Sequence, residues 1–400
     1  MTLSLCLVFT ASSLYEATTA GLTPLQLVLV GTALEISAFV FEVPTGIVAD
    51  VYSRRLSIIV GYLLMGSGFL VEGLFPSFLP ILLAQVLWGL GYTFTSGAKQ
   101  AWITDEVGEE SANKLFLRAT RLSSFAWLVG LAAAVLIGAS NAALPIRAGG
   151  IGIILTGIAL AVIMPEMGFH PTPREDRSTW QHMLHIFKQG IGAVRARPRL
   201  VNLVFIALFY GVYSEGYDRL RVKLLLNHFD LPIWMGSNQV AFLAGLDAIG
   251  TAFSIFAIRF VERRVNVSDA SSIGGALWLI TGAITIAMVA FALSPVLALA
   301  VGFMLAVDLL RNISGPLQSA WINQKLEPDT RATVYSMFGQ VDAIGQITSG
   351  PLIGLIASAI SVRLAVSLSA GLLSPALFFI ARANRRDESK AALPGVEPAE

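Results

Sequence analysis

The chain has 400 residues, 55% of them hydrophobic and only 13% charged, about half the charge of a typical soluble domain. Mean hydropathy is +0.71, which makes a bilayer the natural solvent, and a net charge of +1 leaves neither a basic face for nucleic acid nor an acidic tail. The single cysteine, Cys6, excludes an internal disulfide and any cysteine-based metal site.

A spanning helix takes roughly 20 apolar residues, and twelve such runs fill the chain. They fall at residues 3–17, 24–49, 56–75, 78–104, 115–140 and 144–164 in the first half. Those of the second half lie at 201–217, 233–260, 270–293, 295–323, 332–359 and 362–381. The first run has no basic residue before it. It therefore reads as a membrane helix rather than a signal peptide, which opens on positive charge. Four pieces follow: a six-helix half over 1–164, a cytoplasmic linker over 165–200, a second half over 201–383 and a charged tail over 384–400, expected to be disordered. The linker holds His182 and His185, which read as a solvated loop rather than a metal site.

Positive charge orients this arrangement. With both termini in the cytoplasm, all of the 27 Lys and Arg fall on cytoplasmic loops, helix ends and tail except Lys99, Arg147, Arg219, Arg221, Lys223, Arg311 and Arg363. That is the bias of an inserted membrane protein. Arg219, Arg221 and Lys223, at the outer end of helix 7, have Glu215 and Asp218 within helical reach.

The halves repeat one another. RATRLSSF from Arg118 matches RATVYSMF from Arg331 at five of eight positions. Ser96-Gly97, with Trp102, is echoed by Ser314-Gly315, with Trp321, and Arg54-Arg55 by Arg263-Arg264, all at offsets of about 210–220 residues. The fold class is thus an all-α integral membrane protein, with twelve transmembrane helices in two pseudo-symmetric six-helix halves. Proteins built this way commonly place a substrate site between repeats near the bilayer midplane.

Ionisable residues inside the spans are the candidate pathway, because each costs about 2.5–3.5 kcal/mol on insertion scales and so tends to face a cavity. Glu35, Asp247, Asp308 and Asp342 fall near mid-depth. Glu42 shares a face with Glu35, and Arg311 one with Asp308. Asp308 and Arg311 read equally as a structural ion pair or a functional one. Carboxyls surrounded by hydrocarbon can take up and release protons near neutral pH.

The turn between the second and third runs carries Gly46, Asp50, Arg54 and Arg55. In order and spacing it resembles the helix 2–3 loop motif of the major facilitator superfamily, with Val51 and Ser53 as departures from the usual Arg and Gly. The resemblance covers nearly the whole chain and points to bacterial drug-efflux-type members. It implies a secondary transporter working by alternating access, coupled to protons, with a small-molecule substrate and no cofactor or metal. It also implies a cytoplasmic gate in which Asp50 sits against the N-terminus of helix 11 and Arg54 or Arg55 pairs with Asp105. Gln85 stands where many drug:proton members have an intramembrane Arg, and the Gly-Pro run at Gly350-Pro351 lies on helix 11 rather than helix 5. The protein is expected in the plasma membrane as a monomer. Import or facilitated entry of a small organic solute is the alternative. An integral membrane enzyme acting on a lipid-linked substrate is more distant, since no nucleophile elbow, phosphate cradle or metal motif is present.

Overall fold

The computed structural model describes residues 1–171, 198–231, 238–266, 269–324 and 328–391. Regular structure among them is helical throughout. In chain order the helices are α1 Thr2–Thr18, α2 Pro24–Val51, α3 Arg54–Leu74, α4 Phe78–Thr95, α5 Ala98–Val107, α6 Glu109–Gly138 and α7 Ala143–Ile163. After the linker come α8 Pro198–His228, α9 Gln239–Arg264, α10 Ala270–Leu293, α11 Leu297–Asn323, α12 Pro328–Ala359 and α13 Val362–Ala391. With α4 and α5 taken as one run, 10 helices are long and apolar enough to cross a membrane. The 17-residue α1 and α12, whose middle carries Gln340, Asp342 and Gln346, complete the twelve. The chain is a multi-pass membrane protein.

Three boundaries differ most from the hydropathy reading. The fourth apolar run is broken at Ser96-Gly97, where Gly97 takes φ +70, a left-handed conformation that a side chain disfavours. Apolar residues continue on both sides of the break, so hydropathy passes over it. Helix 7, read to Tyr217, runs on to His228; Arg219 and Arg221 pair inside their bundle and let the helix continue. Residues 384–391 extend α13 rather than joining an irregular tail, and 392–400 lie outside the described residues, as do His182 and His185.

Two compact units divide the chain: Met1–Thr179 with Asp230–Ala248, and Trp180–Phe229 with Ile249–Glu400. The start of α9 groups with the first unit, although the sequence assigns all of it to the second half. Asn238 Nδ2 donates to the Val135 carbonyl at 3.1 Å, and Ala244 packs with Cys6 and Leu131.

Within each unit the packing follows the same order. In the first, α3 packs on α4 and α7, and α1 on α6 and α7; in the second, α10 packs on α11 and α13, and α8 on α12 and α13. The sequence repeat is therefore a repeat of neighbours. Tyr15, Tyr62, Met65 and Phe69 centre one core, and Leu277, Trp321, Phe338 and Ile380 the other.

Small residues let the helices approach. A Cβ on Gly345 of α12 would lie 2.5 Å from the Leu208 carbonyl oxygen and 2.8 Å from the Val212 nitrogen of α8. One on Gly211 of α8 would overlap the Asp342 carbonyl. Backbone-to-backbone contact of this kind is how membrane helices pack without a hydrophobic driving force, and here it fixes where Asp342 stands.

Candidate functional site

The second unit holds a cavity of about 250 Å³ lined by Tyr210, Tyr213, Ser214 and Asp218 of α8, Arg311, Ser314, Gly315 and Gln318 of α11, and Asp342 and Gln346 of α12. The α8 residues recur every three or four positions, so one stripe of that helix faces the cavity. Tyr210 Oη lies 2.7 Å from Thr281 Oγ1 and 3.3 Å from Ser314 Oγ, which holds its ring in place. Gln346 Nε2 donates to Asp342 Oδ2 at 2.8 Å. Among the described residues Asp342 makes no ion pair.

Two crossed ion pairs tie α8 to α11 beside the cavity. Arg311 donates to both Asp218 oxygens, at 2.5 and 2.8 Å. Arg221 Nη1 donates to both Asp308 oxygens at 2.8 Å. The Asp308–Arg311 pair that their shared face suggests does not form. Each reaches across to the other helix, because the two helices run antiparallel and carry the same Asp-x-x-Arg spacing, Asp218 to Arg221 and Asp308 to Arg311. The Arg311 guanidinium also lies 5.7 Å from the Tyr213 and Tyr217 ring centres, a cation–π arrangement. Arg219 pairs with Glu215 on its own helix at 3.3 Å. Charge in the cavity thus resolves into one neutralised pair, Asp218–Arg311, and one carboxyl, Asp342, held by an amide.

In the first unit the helix 2–3 turn forms a second cluster. Arg54 donates to Asp105 and lies 3.9 Å from Asp50. Arg55 Nη2 donates to the Ala161 carbonyl at 2.5 Å. A Cβ on Gly46 would meet nothing within 4 Å. The sequence reading did not foresee Glu166. Its carboxylate accepts from Ser53 Oγ at 2.7 Å and from the Arg55 backbone N–H at 2.8 Å, placing negative charge on the N-terminus of α3 where the helix dipole favours it. Trp102 Nε1 donates to the Pro165 carbonyl at 2.8 Å, and the Gly168 N–H donates to Glu106 Oε1 at 2.8 Å. Residues 165–168 are thereby fastened across the ends of α3 and α5. Glu166→Ala removes a cap worth about 1 kcal/mol; a thermal midpoint a few degrees lower in detergent is the expected result.

The other expected pathway residues divide between the two units. Glu42 accepts from Ser96 Oγ at 3.0 Å, beside the α4–α5 break. Glu35 is half-buried on α2, and Asp247 half-buried on α9 in the first unit. Asp308, Arg311 and Asp342 belong to the second unit. Tyr210, Tyr213, Ser214, Gln318 and Gln346 line the cavity without having been singled out, since uncharged residues inside apolar runs send no hydropathy signal. The matched Asp-x-x-Arg spacings on helices 7 and 10 were a legible sign of the crossed pairs. Among the described residues no group of three or more His, Cys, Asp or Glu is placed to hold a metal ion. The cavity's chemistry is that of binding: aromatic walls, hydroxyls, two amides, the Asp218–Arg311 pair and one further acid, Asp342.

Comparison with known proteins gives a consistent answer. The family model described as Major Facilitator Superfamily matches residues 1–341. A curated relative, the uncharacterized MFS-type transporter YxaM of Bacillus subtilis (strain 168), is 24% identical over 345 residues, covering 84% of this chain and 81% of the relative. A mutant of the nucleoside transporter NupG superposes with a TM-score of 0.74 at 14% identity, over 96% of this chain and 97% of that one. A bacterial homolog of the human lysosomal transporter Spinster, inward-facing and unoccupied, gives a TM-score of 0.71 at 17% identity, over 100% of this chain and 98% of that one. At these identities the two crystal structures speak to fold.

Proposed function

From the premise that the chain belongs to the Major Facilitator Superfamily, we propose that it is a proton-coupled exporter of small organic cations working by alternating access. The observation that carries this reading is the state of charge in the 250 Å³ cavity. Arg311 is already neutralised by the two bonds it donates to Asp218, so Asp342 is the group left to meet a positive charge, whether a proton or an ammonium. Tyr210 and Tyr213 supply the aromatic faces that such a cation favours. The volume lies below the roughly 300–1,000 Å³ of pockets for drug-sized ligands, so the cavity suits a small solute or the cationic head of a larger one. Exchange follows simply: proton and substrate compete for one carboxyl, and whichever leaves makes room for the other. Glu35, Glu42 and Asp247 would extend the proton's route. The Asp50–Arg54–Asp105 cluster would act as the cytoplasmic gate, in a plasma-membrane monomer with both termini inside.

The test is efflux of small fluorescent cations from inverted vesicles, with the pH gradient imposed or collapsed, for wild type and Asp342→Asn. Export that follows the gradient and is lost in Asp342→Asn is the expected result. Uptake that ignores the gradient, from protein that is folded and inserted, would replace this reading with import or facilitated entry of an organic solute.

A further inference from the structure

A second carboxyl site lies in the first unit, well away in sequence from the Asp342 cavity. Glu72 on α3 is fully buried at 0% exposure, and Gln85 on α4 is buried at 2%. Gln85 Nε2 donates to Glu72 Oε2 at 3.3 Å. Gln85 Oε1, on the same amide, has no hydrogen-bond partner among the described residues. Tyr15 Oη donates to the Glu72 backbone carbonyl at 2.8 Å, and Arg147 Nε of α7 donates to the Gly73 carbonyl at 2.7 Å. Glu16 of α1, next to Tyr15, is buried as well and is an acid. One turn away on α3 and α4, Phe69 and Trp88 pack with Phe9 at ring-centre distances of 5.3–6.2 Å, which closes that side with hydrocarbon.

A buried amide oxygen left without a donor costs about 1–3 kcal/mol. The group already bonded to the other end of this amide can supply the donor, provided that it carries a proton. We propose that Glu72 and Gln85 form a proton-binding site, a carboxylic acid–amide pair joined by two reciprocal bonds. Gln85 Nε2 donates to one oxygen of Glu72, and the protonated oxygen of Glu72 donates to Gln85 Oε1. Both sides of the amide are then satisfied. An arginine at position 85 would hold Glu72 as a fixed ion pair, whereas an amide offers both a donor and an acceptor and so binds the acid form.

The test needs no substrate and is independent of the transport reading. Infrared spectra of the purified chain in phosphatidylcholine vesicles at neutral pH, in H₂O and D₂O, report protonated carboxyls through their carbonyl stretch. Wild type is expected to show a band that Glu72→Gln removes and Asp342→Asn leaves in place. Gln85→Leu is expected to shift that band, because the acid keeps its proton but loses its acceptor. Spectra of wild type and Glu72→Gln that superimpose in this region would overturn the proposal. Should Glu72→Gln fail to insert, Gln85→Leu decides: a shifted band supports the pair, and an unchanged spectrum overturns it.

Discussion

Arg311→Ala is expected to destabilise the second unit by about 3 kcal/mol, the lower end of the cost of breaking a buried ion pair. The lower end applies because the Arg311 and Asp218 side chains are 27% and 38% exposed. The substitution leaves Asp218 facing the cavity beside Asp342, so two carboxylates share a space that held one neutral pair and one acid. At 2–4 °C per kcal/mol for a unit of this size, thermal unfolding in detergent should begin roughly 6–12 °C earlier. The reversal Asp218→Arg with Arg311→Asp restores a bidentate pair and should recover most of the loss, while either half of it alone should not. A double-mutant cycle against Asp308→Asn separates the two crossed pairs. Equal midpoints for wild type and Arg311→Ala would show that the pair contributes nothing to stability.

Gly345→Leu should be more damaging. The atoms that a Cβ would meet at Gly345 are the backbone oxygen of Leu208 and nitrogen of Val212, at 2.5 and 2.8 Å, and backbone inside a helix has nowhere to go. The helices must part, at a cost above the 1–3 kcal/mol of ordinary overpacking. Little folded protein is expected by gel filtration. Gly345→Ala asks for a smaller displacement, but Asp342 stands one turn away on α12 and moves with it. Folded protein with impaired binding is the expected outcome there. Gly46→Ala, where a Cβ meets nothing within its unit, is the control and should leave the thermal midpoint unchanged.

These two expectations come from different depths of legibility. The helices were plain in the sequence, since a run of 20 apolar residues has few other fates, and so was the doubling of the chain, through matched segments such as those at Arg118 and Arg331. Asp308, Arg311 and Asp342 were marked by the cost of charge in a bilayer. Their partners were not. Helical spacing describes one helix at a time, so it paired Asp308 with Arg311 when each bonds across to α8. The end of helix 7 was misplaced for the same reason. Arg219 and Arg221 look like the edge of a membrane span until their acids are in view. Glu72 escaped notice because it sits near the end of an apolar run, where a charged residue ordinarily reaches water; only packing reveals that it does not.

The kink at Gly97 makes the repeated halves mechanically unequal. In the second half the corresponding Ser314-Gly315-Pro316 lies within α11, an unbroken helix of 27 residues. In the first, the same stretch is a joint, and beyond it α5 is a separate ten-residue lever bearing Trp102, Asp105 and Glu106. Through the Arg54–Asp105 and Trp102–Pro165 bonds, α5 is tied to the helix 2–3 turn and to residue 165 instead of continuing the axis of α4. In the second half Asp308 and Arg311 share one continuous helix with the matching stretch. The repeated part is thus a broken helix in the first half and a continuous one in the second, and the difference lies at Gly97.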